Sequence, residues 1–448
     1  MGKYQGYDKY KDSGVEWLGE IPEHWEVKRL KNIASCNDES LAENTAPDYE
    51  IEYVDISSVD LVSGIKNYEN MSFDKAPSRA RRKVQDGDTI ISTVRTYLKS
   101  IATIKQPPNN LIVSTGFAVI RPKININPNY IGYLLQSEGF IGEIVSSSVG
   151  VSYPAINSSV LISLPVVEPP LEEQEKIARF LDYKTKQIDD LIAKKETLIE
   201  KLDEKRTSLI SHAVTKGLDV NVPMKDSGIE WLGDIPKHWE VKRLKFLVTK
   251  IGSGKTPKGG SEVYINSGIM LIRSQNVYDD GLRLDDVVYI DDDIDNIQAN
   301  SRVFPNDILL NITGASIGRT SLIPPNFGKA NVNQHVCIFR PKLKEIFPQY
   351  LHLLFCSQQG KEQIFSCENG ISREGLNFQE AGNLTFAIPT LEEQQKIADY
   401  LDYKTKQIEE QKTKIQQAID LLKEYRTALI TNAVTGKIDV RKITIPKI

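Results

Sequence analysis

A chain of 448 residues with 40% hydrophobic and 26% charged residues is too long for one core and predicts a soluble protein of two to four domains. No apolar run approaches the ~20 residues of a membrane span, and the opening MGKYQGYDKY lacks the apolar stretch of a secretory signal. A net charge of −4 and a pI near 5.9 argue against nucleic-acid binding through bulk basicity, and the scattered Cys36, Cys337, Cys356 and Cys367 predict reduced thiols rather than disulfides or a metal site.

In chain order, the first distinctive stretch is KDSGVEWLGEIPEHWEVKRLK at 11–31. It returns with three substitutions as KDSGIEWLGDIPKHWEVKRLK at 225–245, the mark of an internal duplication. Glu26-x-Lys28 and Glu240-x-Lys242 match half of a metal-dependent nuclease site, but Glu20 and Asp234 stand too close to complete it. A solvated VKRLK stretch is expected instead. His24 and His238 each precede a Trp at the same repeat position, which predicts packing.

Region 32–168 follows. SRARRK sets Arg79, Arg81, Arg82 and Lys83 to track a phosphate backbone or enter a groove, or else to form a solvated loop. STVRTYLKS places Arg95, Tyr97 and Lys99 at alternating positions, one face of a strand if the segment is extended. LEEQEKIARFLDYKTKQI from Leu171 then opens a long helix with an acid-rich first turn after Pro170. Ile188, Leu191, Leu198, Leu202 and Leu209 give it a heptad stripe, interrupted by Lys195 and Lys205, with Gly217 as the stop.

The second copy of the opening phrase leads into region 246–388. GSGKT at Gly252 resembles the end of a phosphate-binding loop, but the pattern's first glycine would fall at Thr249, so a glycine-rich loop is expected. IRSQNV supplies Arg273, Gln275 and Asn276; arginine suits guanine edges, and Gln or Asn suits adenine. NITGASIGRT supplies Thr313, Ser316 and Arg319 among glycines, NVNQHV supplies Asn333 and Gln334, and ISREG supplies Arg373. LEEQQKIADYLDYKTKQI from Leu391 repeats the helix, with Thr390 and Glu393 as a capping box and a stripe of Ile408, Ile415, Ala418, Leu422, Tyr425 and Leu429.

The two intervening regions share a skeleton. VQDGDTIISTVRTYLKSIATI at 84–104 answers VFPNDILLNITGASIGRTSLI at 303–323, and STGFAVIRPK answers NQHVCIFRPK. The apolar frame is kept while the polar residues differ, which predicts one fold with two surfaces. Neither region is basic: 32–168 holds 11 Lys and Arg against 15 Asp and Glu, and 246–388 holds 13 against 15. One amphipathic helix of ~30 residues cannot bury its stripe alone, whereas two near-identical helices can bury each other. An antiparallel pair would send the two units to opposite ends of a rod ~45 Å long.

With both phrases and the shared skeleton in hand, the chain resembles the specificity subunits of type I restriction-modification systems over nearly its whole length. The marks are EWLGEIPEHWEVKRLK, GKTPKGG…SGIMLIRSQNV and LEEQ(E/Q)KIA(R/D)(F/Y)LDYKTKQI. The resemblance implies an α+β fold: two mixed α/β target recognition domains, at 1–168 and 221–388, separated by two long antiparallel coiled-coil helices, at 169–220 and 389–448, in a pseudo-two-fold internal repeat. It implies that each domain reads half of a bipartite, asymmetric double-stranded DNA site. Two methylation subunits would dock on the outward faces of the helices at 171–215 and 391–435, and restriction subunits would complete the complex. It implies no catalytic residue, metal or cofactor in this chain, with S-adenosylmethionine, ATP and Mg²⁺ belonging to partner subunits, no membrane, and a cytoplasmic location. The candidate DNA contacts above rest on residue type and spacing alone. A fused enzyme finds no room in a chain filled by its repeats. A coiled-coil adaptor without DNA readout is the rival; the acidic balance favours it, and divergence confined to polar positions opposes it.

Overall fold

The computed structural model describes residues 4–368 and 375–446. The chain forms two compact units, Met1–Lys195 with Gln416–Ile448, and Glu196–Ile415. Two helices dominate the secondary structure, Leu171–Lys216 of 46 residues and Leu391–Val434 of 44 residues. Each unit takes one half of each helix together with one intervening region.

The helix halves run antiparallel within each unit. In the first, the start of the first helix at Glu173 and the end of the second at Gly436 both lie against Trp25. Farther along, Arg426 donates to Asp189 at 2.9 Å. In the second, Gly217 sits beside Trp239 and Glu393, and Lys412 reaches Asp203 at 2.7 Å while Arg206 approaches Glu409 at 3.9 Å. Arg206–Glu409 is the repeat counterpart of Arg426–Asp189.

The buried line along each helix departs from the stripe expected from sequence. It passes through buried Ile188, Ile192 and Leu202 and half-buried Ile199 and Leu209 in the first helix, and through buried Ile408, Ile419 and Leu429 and half-buried Ile415 and Leu422 in the second, while Leu191, Leu198 and Tyr425 stand exposed. Leu191-Ile192 and Leu198-Ile199 are adjacent apolar pairs, and either member satisfies a three-four spacing. Packing selects the isoleucines.

Each unit is built on the same strands. In the first, Thr89–Ser92 pairs antiparallel with Ile101–Thr103 and with Phe117–Pro122, which in turn pairs with Ala34–Cys36. A second sheet sets Leu111–Ser114 parallel to Glu50–Val54, with Glu69–Ser72 and Ala80–Lys83 outside them. In the second unit, Ile308–Asn311 pairs with Thr320–Leu322 and Val336–Pro341, and the latter with Val248–Ser253. Ile269–Ile272 runs parallel to Ala330–Val332, with Val288–Ile290 outside. Ala80–Lys83 has no strand counterpart: the matching place holds the 3-10 turn Ala299–Ser301.

The repeated phrases are locked to each other inside each unit. Trp25, fully buried, donates its indole N–H to Glu173 at 3.1 Å, and His24 meets the same carboxylate at 2.7 Å. Trp239 and His238 repeat this on Glu393 at 3.1 and 2.8 Å. The adjacent glutamines are buried too: Gln174 binds the Pro169 carbonyl and the Asn127 N–H, and Gln394 binds the Pro389 carbonyl and the Phe347 N–H. A buried polar side chain is tolerated only when so satisfied. Gly436, with φ +76°, must be glycine twice over, since a Cβ there would fall 2.3 Å from Pro22.

Further pairs repeat. Tyr130 donates to the Val167 carbonyl at 3.2 Å as Tyr350 does to that of Ala387 at 3.3 Å. Arg121 grips buried Asp88 with two bonds of 2.9 Å, and Arg340 grips buried Asp307 with two of 2.8 Å. The Glu-x-Lys pairs are surface ion pairs: Lys28 contacts Glu26 and Glu168, and Lys242 contacts Glu240 and Glu345. All four cysteines are free, and burial pushes the Cys337 and Cys356 thiols up to about 12.

Candidate nucleic-acid interface

In the first unit, the loops after Thr89–Ser92 and Leu111–Ser114, the residue before Ala80–Lys83 and the tip at 149–155 converge at one end. The Thr93 N–H donates to the Gly116 carbonyl at 2.8 Å, the Thr115 N–H to the Arg79 carbonyl at 2.8 Å, and the Arg95 N–H to the Pro154 carbonyl at 2.7 Å. This gathers Arg79, Arg95, Tyr97 and Lys99. Segment 95–99 is not a strand: Thr96–Leu98 is a 3-10 turn, and Arg95 and Lys99 flank it with φ of 50° and 54°. The left-handed residues reverse the chain between Thr89–Ser92 and Ile101–Thr103, so the three side chains crown a hairpin instead of lining one face. Tyr97 is half exposed, and the Arg95 guanidinium stacks on Tyr153 with 4.8 Å to the ring centre.

SRARRK is partly strand. Ala80–Lys83 is the last strand of its sheet, and residues 39–41 bond along its outer side, with the Leu41 N–H on the Arg81 carbonyl at 2.8 Å and the Lys83 N–H on that of Glu39 at 3.2 Å. Arg79 is the least available: its guanidinium donates to Tyr53 at 3.1 Å and pairs with Asp55 at 2.6 Å, and both raise its pKa. Arg81 stacks over Phe73 at 4.5 Å, Arg82 makes one long bond to Ser40, and Lys83 projects into solvent.

The second unit carries a 3-10 turn at the equivalent place, Gly314–Ser316. Thr313 bonds His335 at 2.6 Å, the His335 N–H donates to Asn333 at 3.1 Å, and Gln334 contacts His335 at 3.0 Å and also Thr256. Ser316 accepts from Asn311, which also donates to the Ser274 carbonyl at 2.8 Å and so ties this turn to Arg273 and Gln275. Gly254 of the GSGKT loop lies against the Val332 backbone, where a Cβ would fall 1.6 Å from the carbonyl oxygen. Close backbone approach explains that glycine, and it brings exposed Lys255 beside the cluster.

Two of the candidates in IRSQNV read differently in three dimensions. Asn276 has no exposed surface; it accepts from the Arg273 N–H and donates to the Arg283 carbonyl and Asp286, so no group is left for a base. Its amide builds the turn, because Ser274–Asn276 is a 3-10 cap that needs an acceptor there. Gln275 is exposed but donates to Asp286. Arg319 stacks on Tyr278 at 4.6 Å, beside Arg283 at 5.1 Å on the same ring. Arg373 lies outside the described residues.

Sequence reasoning missed Tyr153, Phe73 and Tyr278, the rings on which Arg95, Arg81 and Arg319 rest. No local pattern pairs Arg95 with a ring 58 positions away. It also missed the exposed hairpin tip around Val151 in VGVSYP, where Gly150 takes φ +112°.

Among the described residues, no helix is long and apolar enough to cross a membrane. The family model described as the type I restriction modification DNA specificity domain matches residues 22–201 and again 236–420. The chain is 24% identical over 455 residues to the MjaIX type I restriction enzyme specificity subunit of Methanocaldococcus jannaschii, covering 99% of both chains. It is 25% identical over 307 residues to the EcoBI specificity subunit of Escherichia coli, covering 67% of this chain and 64% of that one. A solved chain from a study of assembly and conformational transition in a type I R-M system superimposes with a TM-score of 0.72 at 22% identity, covering 93% and 99%. Two matched domains, one in each unit, with mixed strands and helices and two long helices, make this chain a member of the type I restriction-modification specificity subunits, a DNA-recognition subunit with two recognition domains.

Proposed function

We propose that this chain reads a bipartite, asymmetric double-stranded DNA site, with one recognition domain on each half, and performs no chemistry itself. Adenine methylation would belong to two methylation subunits docked on the long helices, and DNA translocation and cleavage to restriction subunits. S-adenosylmethionine, ATP and Mg²⁺ would be bound by those partners, in the cytoplasm.

The observation that carries this reading is the pair of equivalent 3-10 turns, Thr96–Leu98 and Gly314–Ser316. They sit on the same strand frame, and their exposed side chains are unrelated. A frame kept for stability and a surface changed at its tips is what two separate specificities require. An adaptor without DNA readout gives no reason for that divergence. The test is single-molecule methylation sequencing of host DNA with and without the gene, followed by exchange of residues 246–388 for another family member's region. Loss of one bipartite methyladenine motif on deletion, and change of one half-site alone on exchange, are expected. An unchanged methylome, or change in both halves, would refute the reading.

A further inference from the structure

The tip of the first recognition domain is apolar to an extent that phosphate contacts do not explain. Val151 is fully exposed, Val149 is 81% exposed and Tyr153 66%, beside the half-exposed Tyr97 and Leu98 of the 3-10 turn. This tip is built rather than slack. Val149 and Ala155 exchange backbone bonds of 2.8 and 3.0 Å, and the Ile156 N–H donates to the Thr93 carbonyl at 2.9 Å. Gly150, at φ +112°, lets the chain turn over the Tyr153 carbonyl. A preorganised loop loses little entropy on binding. Arg95, whose guanidinium lies on Tyr153, and Lys99 at the far end of the same turn have no carboxylate partner among the described residues, which suits an anionic occupant.

An apolar side chain cannot read hydrogen-bond donors or acceptors. On a DNA edge, the group it can recognise is the C5 methyl of thymine, which stands in the major groove. We propose that Val151, supported by Val149 and Tyr153, reads a thymine methyl in the half-site of the first recognition domain. The second domain presents Thr313, Asn333, Gln334 and His335 at its equivalent turn, groups suited to hydrogen-bond readout. The inference rests on the DNA-reading function above and adds a mode of recognition peculiar to one half.

The test uses the full chain in complex with its methylation subunits and duplexes carrying the mapped target. Exchange of residues 32–168 first assigns which half the domain reads. Each thymine of that half is then replaced by deoxyuridine, which removes only the methyl. One position should weaken binding about fourfold, the worth of a buried methyl-sized group. That penalty should vanish in Val151→Ser and in Tyr153→Ser, while deoxyuridine effects in the other half stay as they were. A half-site without thymine, no penalty at any thymine, or a penalty that persists in both variants would overturn the inference. Loss of methylation-subunit assembly in Val151→Ser with the deoxyuridine penalty intact would also overturn it and assign the tip to a protein contact. Absence of any binding to unsubstituted target would instead sink the DNA-reading function itself.

Discussion

Removing Glu173 should cost more than removing Glu393, although the two stand at the same place in the repeat. Both accept a Trp indole N–H at 3.1 Å and meet a His. Glu173 has one more partner, the Tyr7 hydroxyl, which donates at 2.9 Å; Tyr7 is 6% exposed and Trp25 is fully buried. Glu173→Ala therefore strands two buried donors and Glu393→Ala strands one. At about 1–3 kcal/mol for each unsatisfied buried group, the costs become roughly 2–6 and roughly 1–3 kcal/mol. The side-chain exposures of 10% and 27% act in the same direction. Hydrogen exchange by mass spectrometry on the full chain reads the opening of each unit separately, which a single melting curve does not. Trp25→Phe closes a cycle by removing the N–H and keeping the ring, so Glu173→Ala should cost about 1 kcal/mol less in that background. Equal costs for the two glutamates, or no coupling to Trp25→Phe, would refute the reasoning.

Arg82→Ala and Arg319→Ala should each weaken binding about 5–150-fold, the effect of one lost charged contact of ~1–3 kcal/mol, and each at one half-site alone. Methylation assays on targets varied in one half at a time check this, and equal loss in both halves counts against independent reading. Burial pushes the His352 imidazole down to about 4, so it is neutral in the fold at pH 7 whereas the unfolded chain protonates near pH 6.5. Its contribution is complete above pH 6.5 and is lost as the pH falls toward 4. Melting of His352→Gln between pH 7 and 4.5 should fall less steeply than the parent; an unchanged slope would discard the cause.

The duplication, the two long helices and the shared skeleton were legible because each is a local or periodic pattern. The lock between the phrases was not. Trp25 and Glu173 lie 148 positions apart, and nothing in HW or EEQ names the other. The helix stripe was legible in period and not in register, since Leu191-Ile192 and Leu198-Ile199 each offer two apolar choices. The 95–99 segment misled because alternation of Arg95, Tyr97 and Lys99 fits a strand, while two non-glycine residues at positive φ are rare enough to be a poor expectation. Asn276 misled for a different reason: the amide that can bind adenine in two places can also close a turn, and burial decides between them.

The acidic balance of region 32–168 is a weaker objection to DNA binding than the count suggests, because ion pairing sorts the cations. Asp88 takes Arg121, Asp55 takes Arg79 and Asp60 takes Lys66. Arg81, Arg82, Lys83, Arg95 and Lys99 have no carboxylate partner among the described residues, and they occupy the strand Ala80–Lys83 and the hairpin crown. Net charge sums over groups that cancel locally, whereas a phosphate meets only the groups left over. If these five meet phosphates, this domain contributes about 4–5 released counterions to the salt dependence of binding. Lys83→Ala should then lower the slope of log K against log salt by about 0.9, and Arg79→Ala, whose charge Asp55 already holds, by clearly less. Fluorescence anisotropy of the assembled complex across a salt series measures both. Equal slopes for the two variants would show that the paired and unpaired arginines and lysines are not distinguished at the interface, and the acidic balance would regain its force.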